Sequence, residues 1–145
     1  MENLLYDTDF YGWVNQQVQL LRSGKLTEVD MDNLAEEIED MGKNLLRVLE
    51  SRLEILLIHL LKWQYQPSHR GKSWQVTIVE QRLALAKHLR KNPSLKPKVP
   101  NAITESYADA VIRASVETGL PKKTFPTTCP YSFEEVMDEN FWPES

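Results

Sequence analysis

Apolar side chains recur in steps of three and four along most of this chain. From residue 34 they fall at Leu34, Ile38, Met41, Leu45, Leu49, Leu53, Leu56, Leu60 and Trp63. A polar series, Glu36, Asp40, Lys43, Arg47, Glu50 and Glu54, keeps the same steps on the opposite side. Two such stripes define an amphipathic helix. The tract opens near Asp30 or Asp32 and is stopped by Pro67, which predicts a helix over Asp32 to Tyr65. Gly42 is the expected kink or break, because glycine costs about 1 kcal/mol against alanine inside a helix. Toward its C-terminal end the tract is apolar nearly all round, so that part should be the most buried element.

Three further helices follow from the same pattern. One runs from about Asp9 to Ser23, with Asp7 or Thr8 as cap, Gly24 as terminator, and Phe10, Trp13 or Val14, Gln17, Leu20 and Leu21 inward. After a loop over Pro67 to Lys72, Ser73 is placed to cap a helix that ends near Lys91, before Pro93. Trp74, Ile78, Leu85 and Leu89 share one face of it, and Val76, Val79 and Leu83 another. A stiff basic connector with Pro93, Pro97 and Pro100 leads to a helix from about Asn101 to Thr118, closed by Gly119. Beyond it, Pro121, Pro126 and Pro130 mark an irregular segment. Ser132 and Glu135 then form a capping box for a short helix over about Phe133 to Asp138. No segment alternates apolar and polar residues between turn glycines, so no sheet is expected. The predicted fold is all-α: an up-and-down bundle of about four main helices with a proline-rich C-terminal strap and a short terminal helix. The length, 145 residues, suits a single helical domain.

Composition changes little in this picture, but charge does. With 41% hydrophobic and 26% charged residues the chain can bury an ordinary core. Its lone Cys129 rules out an internal disulfide and points to a reducing compartment, the cytoplasm. The first residues have neither the basic nor the apolar region of a secretory signal, and no apolar run approaches a membrane span, so no membrane association is expected. The net charge of −4 is unevenly placed. Residues 62–98 hold nine basic side chains against Glu80 alone, a net of +8, and the remainder is −12. Before position 41, ten acids face only Arg22 and Lys25. Such polarity suits an acidic face that meets a basic one within or between copies; the alternative is a basic patch for phosphate or nucleic acid.

Sites of catalysis are hard to find. The residues three before His59, His69 and His88 are Leu56, Gln66 and Leu85, so the Glu-x-x-His pairs of di-iron bundles are missing. No metal and no cofactor are expected. Gly71-Lys72-Ser73 resembles the end of a phosphate-binding loop, but Gln66 stands where that motif needs glycine, and a helix precedes it instead of a strand. His59 lies in the most apolar stretch and is the candidate buried polar residue, its ring N–H expected to find a carbonyl or carboxylate. Cys129 is expected to pack as a small residue. The candidate binding residues combine aromatics and cations: Lys62, Trp63, Gln66, Arg70, Lys72 and Trp74, with Arg82, Lys87, Arg90 and Lys91 on the following helix.

Several strings carry a resemblance. They are residues 6–13 (Tyr6 to Trp13), residues 33–42 (Asn33 to Gly42), residues 60–67 (Leu60 to Pro67), and Cys129-Pro130-Tyr131 followed by residues 138–143. Together they resemble the bacterial domain of unknown function family 29, over about residues 5 to 143. The resemblance implies an all-α bundle and carries over no catalytic residue. The reading that follows is a non-catalytic helical interaction module that forms a homo-oligomer or binds a protein partner. Nucleic-acid or phosphate binding through residues 62–98 is the alternative, and an enzyme with a site near His59 is the least favoured.

Overall fold

The computed structural model describes residues 4–145, and these are helical with no strand among them. The α-helices are α1 (Leu4–Thr8), α2 (Phe10–Arg22), α3 (Met31–Tyr65), α4 (Lys72–Lys91), α5 (Val99–Thr118) and α6 (Phe133–Met137). Short 3-10 turns at Leu26–Glu28, Pro67–His69, Pro93–Lys98 and Lys122–Thr124 fill the connections. The four main helices predicted from the pattern are α2 to α5; α1 is additional. The chain divides into two compact units, Met1–Asn44 and Leu45–Ser145.

In the first unit, α2 and the start of α3 form a hairpin. Asp9 caps α2 through its carboxylate, which accepts from the Gly12 N–H at 3.1 Å, in place of the expected Asp7 or Thr8. Gly24 ends the helix in the left-handed region at φ 74°, where a side chain would be strained. Polar contacts then lock the turn. The Trp13 indole N–H donates to Asp30 Oδ2 at 3.0 Å, Asn33 Nδ2 donates to the same oxygen at 2.9 Å, and the Asp30 N–H donates to Gln17 Oε1 at 2.8 Å. Gly42 does not break α3. No atom crowds that position. The glycine therefore costs backbone entropy only, and the helical turns on either side carry the helix through it.

The second unit holds the core. Leu49, Leu53, Leu56, Leu57, Ile58, Leu60 and Leu61 of α3 are fully buried, as the all-round apolar pattern predicted. Ile78, Leu85 and Leu89 of α4, and Ala102, Tyr107, Ala110, Val111 and Ala114 of α5, close around them. Two starts differ from the sequence reading. Gly71, not Ser73, precedes the first turn of α4, and α5 begins at Val99 because Pro100 is compatible with a first turn. Gly119, at φ 77°, ends α5 as expected. The strap then returns over the core with Phe125, Tyr131 and Val136 buried, and the Ser132–Glu135 capping box forms with both of its hydrogen bonds.

The apolar stripe of α3 thus has two fates. Leu56 is 0% exposed, whereas Ile38 and Met41, read as inward from the sequence, are 64% and 67% exposed. Leu56→Ala should cost about 2–5 kcal/mol in denaturant unfolding, from lost transfer energy and a cavity. Met41→Ala, in dilute protein, should stay within about 0.5 kcal/mol of wild type. Equal losses at the two positions would refute this division of the helix.

Candidate functional site

The exposed half of the stripe does not stand alone. On α2, Phe10, Val14, Val18 and Leu21 follow in helical steps, and Phe10, Val18 and Leu21 are each two-fifths or more exposed. With Leu34, Ile38 and Met41 of α3 they line an apolar groove of about 330 Å³. Trp13 and Gln17, both buried, form its floor. Tyr6 braces one end. Its ring meets Trp13 edge-on at 4.8 Å and its hydroxyl donates to Glu37 Oε1 at 2.5 Å. The bond to that carboxylate raises the Tyr6 pKa to about 12, so the phenol stays protonated and the brace holds at ordinary pH. Phe10 stacks on Trp13 with ring centres 5.6 Å apart. The hydrogen bonds of the turn fix the spacing of the two helices, so the groove is preformed.

The residues proposed from the sequence fall into two sets. Lys62 is buried, with its ammonium 3.1 Å from Glu117 Oε1 and 4.9 Å from the Trp74 ring centre. Gln66 donates to the Thr118 carbonyl at 3.2 Å. Arg70 donates from Nε to the Trp63 carbonyl at 2.6 Å and from Nη2 to the Pro143 carbonyl at 3.3 Å. Trp63 packs on Trp142 at 4.8 Å. Arg82 is buried, donating to the carbonyls of Val136 and Phe141 at 2.8 Å each and to that of Glu135 at 3.4 Å. Lys62 and Gln66 thus tie the end of α3 to α5, while Trp63, Arg70 and Arg82 hold the strap against the three-helix core. Lys72, Lys87, Arg90 and Lys91 are exposed.

His59 is half-buried, and its Nδ1 lies 2.8 Å from the Ile55 carbonyl one turn back. A carbonyl only accepts, so Nδ1 carries the proton in this contact. Burial lowers the His59 pKa, against that bond, and keeps the ring neutral. His88 makes a comparable bond to the Leu45 carbonyl at 2.9 Å. Burial pushes the Cys129 thiol up, away from the reactive thiolate, despite its contact with the Tyr131 carbonyl. Among the described residues no group of three or more His, Cys, Asp or Glu is placed to hold a metal ion. No helix among them is long and apolar enough to cross a membrane.

The groove escaped the sequence reading because its residues carry the same periodicity as core residues. The signal available was size. A hairpin of this length cannot bury two full apolar stripes against each other.

The family described as Domain of unknown function DUF29 matches the chain over residues 5–142, and the chain belongs to that family. No curated protein and no solved structure matches it.

Proposed function

For this DUF29 member we propose a helical interaction module that takes up a helix of a protein partner in the α2–α3 groove, with no catalytic step of its own. The observation that carries this reading is the preformed apolar groove itself. Contiguous apolar surface on a folded chain marks a place where another surface belongs. A groove between two antiparallel helices is the usual seat for one apolar helix face, read at i, i+3 and i+7. The chemistry-bearing side chains elsewhere have structural partners: His59 and His88 meet carbonyls, and the Cys129 thiol is held up by burial. The nucleic-acid alternative loses three of its cations, since Lys62, Arg70 and Arg82 are engaged within the fold. We take the compartment to be the bacterial cytoplasm, in keeping with a single half-buried cysteine.

A photo-reactive benzoylphenylalanine at Ile38 tests the groove in cells that express the protein. The expected result is a covalent adduct with one defined polypeptide, lost when Phe10→Asp puts a charge in the groove. A diffuse smear, or an adduct indifferent to Phe10→Asp, would remove the groove as the docking surface.

A further inference from the structure

We propose that the occupant of this groove is helix α4 of a second copy of the chain, so that the protein assembles by a hairpin-on-α4 contact; this rests on the groove being a helix-docking surface. Helix α4 carries the complementary face. Along α4, Lys72, Val76, Val79, Leu83, Lys87 and Arg90 follow in steps of three and four, and all are exposed. Leu83 is 67% exposed, more than many residues of the groove itself. The face is apolar in the middle and basic at both ends, with Glu80 beside it as the one acid of the helix. From Val76 to Leu83 it spans about 10 Å at 1.5 Å per residue, and the groove from Phe10 to Leu21 spans about 16 Å. The ridge therefore fits within the groove and leaves its basic ends over the groove's rims.

Charge selects this pairing over the two symmetric ones. Residues 1–44 carry ten acids against Arg22, Lys25 and Lys43, a net of −7. Two hairpins packed groove to groove would bring two such blocks together. Two α4 faces would bring Lys72, Lys87 and Arg90 against their equivalents. Only the mixed pairing sets a basic face on an acidic hairpin, and juxtaposed like charges cost several kcal/mol. A contact between unlike surfaces leaves each copy with one free groove or one free ridge. It either repeats head to tail or closes by a symmetry operation.

Complementation of two broken faces tests the assignment. Ile38→Lys spoils the groove and leaves α4 intact; Leu83→Glu does the reverse. Both positions are exposed, and circular dichroism melts should match wild type; Met41→Lys and Val79→Glu are the second pair if either does not. By sedimentation across a concentration series, wild type should assemble, less so as salt rises through the screening range. Each variant alone should associate more than about tenfold more weakly. An equal mixture should recover a one-to-one complex, because it restores one intact groove and one intact ridge. Wild type that stays monomeric throughout would overturn the proposal. So would assembly of either variant alone at wild-type strength, or a mixture that does not recombine. A monomeric wild type whose Ile38 adduct is a different polypeptide would leave the groove reading standing and sink self-assembly alone.

Discussion

Truncation after Gly119 should abolish cooperative unfolding of the Leu45–Ser145 unit while much of the far-UV helical signal remains. The strap is part of that unit's core. Phe125, Tyr131 and Val136 are buried in it. The Tyr131 hydroxyl donates to Gln64 Oε1 at 2.6 Å, and the Tyr107 hydroxyl to the Pro126 carbonyl at 2.6 Å. Burying one such side chain contributes about 1.5–3 kcal/mol, so losing three approaches the whole of a typical domain's stability, about 5–15 kcal/mol. The sixteen core positions on α3, α4 and α5 would keep helices in loose contact without a fixed packing, as in compact states that retain secondary structure. Scanning calorimetry should find no sharp transition, and the truncated chain should aggregate. A melting curve like that of the full chain would mean that the strap is not held.

Arg82→Ala should cost about 3–5 kcal/mol, the largest effect expected of a single charged residue here. The guanidinium sits under the C-terminal end of α6 and serves as its cap. That helix has five residues, so its last carbonyls have no helical partner, and they carry the negative end of its dipole. Arg82 Nε and Nη2 meet the Val136 and Phe141 carbonyls, and the guanidinium lies 5.5 Å from the Trp142 ring centre. Burial lowers the Arg82 pKa, with Asp138 opposing, yet an arginine keeps its proton. Nη1 is buried without a partner, a cost that the other contacts outweigh. Alanine removes the donors and leaves those carbonyls buried. Arg82→Lys should recover only part of the loss, since an ammonium on a flexible stem does not reproduce the planar fork. Urea unfolding of both variants checks this; a loss under about 1 kcal/mol for Arg82→Ala would mean that water replaces the guanidinium.

These two cases mark how far the sequence could be read. Steps of three and four in apolar residues, with glycine and proline as stops, determined the all-helical class, the four main helices, the end of α5 at Gly119 and the capping box of α6. Each is a local property: hydrogen bonds one turn apart, a left-handed residue, a side chain reaching three residues on. By residue type Arg82 reads as a binding cation, yet its register holds a clue. It stands between Ile78 and Leu85 on the face that also carries Leu89, an inward position on α4. Lys62 sits likewise in the stretch of α3 that is apolar nearly all round. What the sequence could not supply was the partner of each, the strap carbonyls 53 to 59 residues away and Glu117. Nor could it tell Met41 from Leu56. Both lie on one stripe of one helix, and periodicity records only that a face is apolar. Whether anything lies against that face depends on which other segments the chain brings to it. Around Leu56 the fold brings α4, α5 and the strap; beside Met41, within the Met1–Asn44 unit, it brings α2, and Met41 stays exposed along the groove.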